Sequence, residues 1–217
     1  MNKQGRVSAL PYPFIFLSNL SDMKKRDLEI QLERVKKFND PDPSLEQYPT
    51  PSVIATDILF LAYSENDVFE KKVNDLGCGT GIFSIGAWLL GGDVHGFDIS
   101  EKAIYVAREN ASSFNADIPF TVCDVRDVTR KADTVIMNPP FGSQSKHADR
   151  PFLDKAMECG SVYSIHMEKT LPFLEEYVKE NGKEVVYRKR YKYHIPHTFS
   201  FHSRTGQDID VVMVVIR

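Results

Sequence analysis

The sequence predicts an α/β protein built on a doubly wound, mostly parallel sheet, and three observations predict it. The first is a strand, glycine loop, helix and strand in succession over residues 72–98, with Asp75-Leu76-Gly77-Cys78-Gly79-Thr80-Gly81 as the loop. The second is Asp98, an acidic residue 17 positions past Gly81 at the end of the second strand. The third is the continued exchange of short apolar runs with helical patterns towards the C-terminus. Such units place a ligand at the carboxyl edge of the strands.

At 217 residues the chain can bury one substantial core, and residues 23–217 are expected to form one domain. Charged residues make up 26% and apolar residues 42%, the balance of a soluble globular protein. A net charge of −3 argues against a uniformly basic coat for nucleic acid and leaves room for a local basic face. Cys78, Cys123 and Cys159 form no Cys-x-x-Cys pair, which points to a reducing, cytoplasmic setting without structural zinc. No apolar stretch reaches the roughly 20 residues that span a bilayer. The apolar run at 10–17 is broken by Pro11 and Pro13 and has no small-residue cleavage site after it, so it is not read as a leader. Residues 1–22 are left as an N-terminal extension without an assigned role.

Residues 23–38 read as a charged helix with Leu28, Leu32 and Val35 on one stripe, ended by the prolines of 39–43. The polar stretch Leu45-Glu46-Gln47-Tyr48-Pro49-Thr50 follows, and Thr50 is expected to cap a helix with Pro51 at its first position. The strand Lys72–Leu76 then enters the glycine loop. Its spacing is G-x-G-x-G, which is neither the dinucleotide fingerprint nor a P-loop. Asp75 at its head would repel a pyrophosphate but suits a ligand with positive charge. S-adenosylmethionine carries a sulfonium and an ammonium and no phosphate. Glycines let the backbone approach its methionine tail, and Asp98 can accept both ribose hydroxyls.

Ser100 is expected to cap a helix running to 113, and the third strand, 119–123, is closed by Asp124, an acceptor for the adenine amine. The fourth strand, Thr134–Met137, delivers Asn138-Pro139-Pro140-Phe141 to the same edge. Two consecutive prolines stiffen that turn. Asn138 offers a side-chain carbonyl, Pro139 a backbone carbonyl and Phe141 a ring, a set suited to a planar amine. A bare proline turn after a buried strand would look the same in isolation. The remaining elements are a polar loop with Lys146, His147 and Arg150, a helix at 151–159, a strand at 161–166, a helix at 168–180 and strands at 183–191 and 208–216.

Residues 183–204 carry six Lys or Arg against one Glu, with Tyr191, Tyr193, Phe199 and Phe201 interleaved. Cations mixed with aromatics fit phosphate contacts and base stacking, although a solvated charge run is the commoner origin of such a cluster. Candidate RNA contacts are Lys146, Arg150, Arg188, Lys189, Arg190, Lys192, His197, Phe199, His202 and Arg204. The histidines lack partners at ligand spacing, so no metal is expected.

Asp75–Gly81, Asp98, Asp124 and Asn138–Phe141 together resemble the class I S-adenosylmethionine-dependent methyltransferases that act on exocyclic amines. The likeness is closer to small-subunit ribosomal RNA adenine-N6 methyltransferases of the methyltransferase-like-five type and their archaeal relatives. It is carried by Leu45-Glu46-Gln47-Tyr48-Pro49-Thr50, Gly96-Phe97-Asp98-Ile99, Phe152-Leu153 and Val162-Tyr163-Ser164-Ile165-His166 as well. The resemblance implies a Rossmann-like seven-stranded sheet with a reversed C-terminal hairpin. It implies that Gln47, Tyr48 and Thr50 line the methionine end of the cofactor. Asp75 and Gly77 would hold its tail, Asp98 its ribose and Asp124 its adenine, with Cys78, Gly79, Gly81, Ile99, Val125 and Asn138 alongside. Eukaryotic members of the family work with a small zinc-binding activator subunit, for which the expected edge is the third strand near residues 118–122.

The expected function is methylation of the N6 amine of an adenosine in small-subunit ribosomal RNA, with Asn138, Pro139, Pro140 and Phe141 catalytic. Guanine-N2 transfer in RNA and glutamine-N5 transfer in a protein are the enzymatic rivals, since both grip planar amines. An inert cofactor- and RNA-binding assembly factor is the rival outside catalysis.

Overall fold

The structure is a computed structural model, and it describes residues 23–142, 147–195 and 207–217. Seven strands form one sheet in the order β3-β2-β1-β4-β5-β7-β6. They are β1 (Lys72–Leu76), β2 (Asp93–Asp98), β3 (Phe120–Val122), β4 (Thr134–Met137), β5 (Ser161–Met167), β6 (Val185–Ile195) and β7 (Gln207–Ile216). β7 runs antiparallel between β5 and β6, and the other strand pairs are parallel. The seven-stranded sheet with a reversed C-terminal hairpin is therefore as expected. β7 explains why the valines at its end recur without polar interruption. Val211, Met213 and Val215 join one core cluster, while Val212, Val214 and Ile216 join the other. Successive side chains of a strand point to opposite faces, so a strand covered on both must be apolar throughout.

Helices α1 (Lys25–Leu32), α2 (Ser52–Ser64), α3 (Ile82–Leu89) and α4 (Glu101–Ser113) bury their apolar residues in the first of those clusters. Helices α5 (Arg150–Met157) and α6 (Leu171–Glu180) belong to the second. Ser100 caps α4 as expected, its Oγ accepting from the Ala103 N–H at 3.2 Å.

Two expectations change. The first helix stops at Leu32, well short of residue 38, although Leu28, Leu32 and Val35 are all buried. The chain leaves the helix because Asn110, itself buried, holds the Lys36 backbone at both ends. The amide oxygen accepts from Lys36 N–H at 3.0 Å and Nδ2 donates to Lys36 O at 3.0 Å. Thr50, in turn, does not cap α2. Pro51 occupies the cap position without a side-chain bond, and the Thr50 hydroxyl is used elsewhere.

The topology positions the site. The sheet order reverses between β1 and β4, so the loops leaving those strands diverge and open a crevice at their carboxyl ends. Leu76 pairs with Met137 across β1 and β4, which brings the glycine loop and the Asn138 turn out side by side. Leu76 also pairs with Phe97, and Asp98 with Val122, so Asp98 and Asp124 leave the same edge.

Candidate active site

A cavity of about 280 Å³ opens at this edge. It is lined by Gly77, Cys78 and Gly79 from the first loop, Asp98 and Ile99 from the second, and Asp124 and Val125 from the third. Asn138 and Pro140 close it on the β4 side, and Gln47, Tyr48 and Thr50 cover it. The expected cofactor residues therefore surround one space, except Asp75 and Gly81, which lie outside its lining. Gly81 instead starts α3 with φ 84°, in the left-handed region glycine favours. Gly77 has φ 68° and a Cβ there would lie 3.0 Å from the Phe152 ring, so a side chain is opposed by both backbone and packing.

Asp75 sits beneath the glycine loop and is 1% exposed. Its Oδ2 accepts from the Ser84 N–H at 2.9 Å and the Ser84 hydroxyl at 2.6 Å, and its buried Oδ1 has no partner among the described residues. Burial pushes its carboxyl up to about 7, against the lowering effect of Ser84. Asp98 is better solvated by the chain. Its oxygens accept from Gly79 N–H and Ser100 N–H, each at 2.9 Å, and burial still raises its pKa.

Asp124 is the opposite case. Arg126 donates to both of its oxygens, at 2.8 Å from Nε and 2.6 Å from Nη2, and its backbone N–H adds a third bond. These bonds pull its pKa down to about 2. The carboxylate expected to meet only an adenine amine thus already serves a guanidinium of its own chain.

The covering segment is tied down at several points. Phe38 lies over the glycine loop, 3.6 Å from where a Gly79 Cβ would be. Asn110 links Lys36 to the Thr80 carbonyl at 2.9 Å. Glu46, 7% exposed and in the left-handed region at φ 50°, accepts the Phe141 N–H on Oε2 at 2.7 Å. Thr50 accepts from Asn138 Nδ2 at 3.1 Å.

The Asn138 turn is consequently fixed from outside. Asn138 Oδ1 is buried and has no hydrogen-bond partner among the described residues. Phe141 meets the ring of Tyr193 edge to face, with centroids 6.0 Å apart. Tyr193 is fully buried under the turn, and its hydroxyl donates to the Tyr48 carbonyl at 3.3 Å. From its place in the sequence Tyr193 falls among the aromatics that could stack on bases, and Glu46 has no expected role of its own. Both carried a signal. Phe141 bears the first N–H after two prolines and so needs an acceptor, and Tyr193 shares the inward period of β6 with Tyr191.

The expected RNA contacts fall in different places. Arg188, Lys189 and Arg190 lie along β6 and pair with Glu175, Asp57 and Glu168, while Lys192 pairs with Asp210 at 3.4 Å. Their charge is largely matched within the chain, a circumstance the net count of 183–204 hides. Arg150 stacks over Phe173 and Tyr177, 4.9 and 5.6 Å from their centroids. Lys146, His197, Phe199, His202 and Arg204 lie outside the described residues. β6 ends and β7 begins at the same edge of the sheet as the cavity.

S-adenosylmethionine fits these donors. The carboxylates of Asp98 and Asp124 stand in the lining where nucleotide folds bind phosphate, and Asp75, whose Oδ1 has no partner among the described residues, lies buried beneath the loop and outside the lining.

Residues 54–160 match the model of the methyltransferase small domain. The chain is 40% identical to an uncharacterised protein of Methanocaldococcus jannaschii over 205 residues, 88% of this chain and 93% of that one. It is 37% identical to the rRNA N6-adenosine-methyltransferase METTL5 of Danio rerio, over 87% of this chain and 96% of the zebrafish protein. The crystal structure of PH1948 from Pyrococcus horikoshii, provisionally assigned as an RNA methyltransferase, superposes with a TM-score of 0.83 at 42% identity. That match covers 89% of this chain and 97% of the other. With this fold, these loops and this degree of identity, the chain belongs to the METTL5 family of S-adenosylmethionine-dependent methyltransferases.

Proposed function

We propose that the protein methylates the N6 amine of an adenosine in small-subunit ribosomal RNA. The observation that carries this reading is Asn138 Oδ1, a buried acceptor without a partner among the described residues, on a proline-stiffened turn beside the cofactor loop. The zebrafish relative, an rRNA N6-adenosine-methyltransferase, favours ribosomal RNA adenosine over other amines.

S-adenosylmethionine, when bound, supplies an electrophilic methyl group on a sulfonium. Gly77 and Gly79 would hold its tail, Asp98 its ribose and Asp124 its adenine, with Asp75 beneath the loop attracting the ammonium through space. The target base leaves its stack to enter the crevice. Adenine's amine is a weak nucleophile because its lone pair is delocalised into the ring. Asn138 Oδ1 and the Pro139 carbonyl accept its two hydrogens and favour a pyramidal nitrogen. Phe141 stacks on the base, and Glu46 holds Phe141 in place through its backbone N–H. Positive charge developing on nitrogen meets acceptors already aimed at it, so orientation and electrostatics carry the rate. Water takes the proton afterwards, since the methylated ammonium is strongly acidic.

The cations of β6, although each is paired with a carboxylate of this chain, and residues 196–206 after them supply the proposed RNA contacts. β3, at the edge of the sheet with Val122 41% exposed, is the proposed seat of an activator subunit.

The test is transfer of labelled methyl to small-subunit ribosomal RNA, followed by nucleoside mass spectrometry. The expected product is N6-methyladenosine, and Asn138→Ala is expected to lower kcat by roughly 10²-fold or more. N2-methylguanosine, or label in a protein glutamine instead of RNA, would replace the reading with one of its rivals. Equal turnover by wild type and Asn138→Ala would remove it.

A further inference from the structure

We propose that Thr50 and Tyr193 are positioning residues that decide which end of the Asn138 amide faces the substrate, and so select a hydrogen-donating amine over an accepting carbonyl or ring nitrogen. The inference rests on the amine-transfer reading for its chemistry, but the geometry stands apart from it.

A primary amide has two ends of nearly equal shape and opposite hydrogen-bonding sense. Only the oxygen can grip an amine. Asn138 Nδ2 donates to Thr50 Oγ1 at 3.1 Å. Tyr193, on the far strand of the hairpin, has the side chains of Thr50 and Asn138 beside its hydroxyl, and their donors favour its charged form. Its own O–H donates to the Tyr48 backbone carbonyl at 3.3 Å. That carbonyl can only accept. The proton of Tyr193 is therefore committed to Tyr48, leaving the phenol oxygen to accept. Thr50 then donates to Tyr193, and its oxygen accepts from Asn138. Each bond's direction follows from the one before it, and the chain ends with Asn138 Nδ2 held by Thr50 and Oδ1 left without a partner among the described residues, on a residue that lines the crevice.

Reversing the amide would turn the Thr50 proton towards Oδ1 and withdraw a donor from Tyr193. Water is poorly placed to compensate, because Tyr193 is fully buried and Thr50 only 9% exposed. The device joins three parts of the chain far apart in sequence: the covering segment, the β4 turn and β6. It also accounts for a threonine that leaves the cap of α2 unfilled.

Tyr193→Phe tests the proposal because it removes the hydroxyl and keeps the ring against Phe141. Expected is a kcat lower by about tenfold, with cofactor Kd within twofold of wild type. Thr50→Val should lose a similar factor, and Thr50→Ser should recover it. A Tyr193→Phe enzyme with full kcat would overturn the proposal, as would a cofactor affinity that falls in step with kcat. A second measurement does not depend on turnover. In ¹⁵N-labelled protein, the Asn138 side-chain NH₂ signal, identified by its loss in Asn138→Ala, should exchange slowly with solvent and speed up in Tyr193→Phe. Equal, rapid exchange in both proteins would refute the chain of bonds whatever the activity. Slow, Tyr193-dependent exchange in a wild type that methylates no RNA would support the amide's orientation while overturning the proposed function.

Discussion

Asp75 and Asp124 are the same residue type at the ends of two strands of one sheet, and they behave in opposite ways. Asp75, at the end of β1, is buried with Ser84 as its hydrogen-bond partner and the Asp98 carboxylate nearby, and burial pushes its carboxyl up to about 7. Asp124, after β3, is clamped by Arg126 at the rim and pulled down to about 2. The difference shows how one crevice presents a dormant charge and a fixed one. The β1 end keeps a carboxyl with one oxygen unpartnered among the described residues. The β3 end has already completed its own.

The largest expected effect is on stability. A folded pKa of about 7 above an unfolded value of 3.8 means that the folded state holds an extra proton between those values. Stability from this group is therefore present below about pH 4 and lost as pH rises through 7, by up to about 4 kcal/mol. Denaturant unfolding from pH 4 to 8 should show this slope in the wild type and not in Asp75→Asn. Parallel profiles for the two proteins would abolish the contrast with Asp124.

Cofactor binding comes next. Only ionised Asp75 attracts an ammonium, so affinity for S-adenosylmethionine should rise roughly tenfold between pH 6 and 8. Calorimetric titration should find that dependence flattened in Asp75→Asn. Ser84→Ala sharpens the comparison, since it removes the 2.6 Å hydroxyl bond that favours the charged form. The midpoint of the affinity profile should move to higher pH by about one unit, as for loss of one charge-assisted bond. The smallest effect belongs to the rim. Arg126→Ala should leave stability at pH 7 nearly unchanged, because Arg126 is largely exposed, and raise the Asp124 pKa seen by carboxyl NMR.

Much of this architecture was legible in the residues themselves. Lys72–Leu76 and Thr134–Met137 were delimited as they occur, because a buried parallel strand is an uninterrupted short run beside a glycine or proline turn. Ser100 as a cap and the valine-rich β7 as an inner strand were readable for similar local reasons. What escaped depended on partners distant in sequence. Lys36 leaves its helix because of Asn110, 74 residues on, and Thr50 abandons its cap for Asn138, 88 residues on. Arg188, Lys189 and Arg190 read as a basic patch until Glu175, Asp57 and Glu168 are seen opposite them. Local propensity carries no record of such pairings. The cofactor residues could be located together because their positions follow from strand ends, which periodicity does reveal. Glu46 and Tyr193 hold the turn through bonds that only the folded chain creates.

The two prolines of the β4 turn have one more consequence. Between Met137 and Gly142 the main chain bears only two exchangeable protons, on Asn138 and Phe141, and the second is bound to the Glu46 carboxylate. Amide hydrogen exchange therefore has almost nothing to report from the segment where the chemistry is proposed. A spectroscopist following this turn must watch side chains: the carboxamide of Asn138 and the rings of Phe141 and Tyr193.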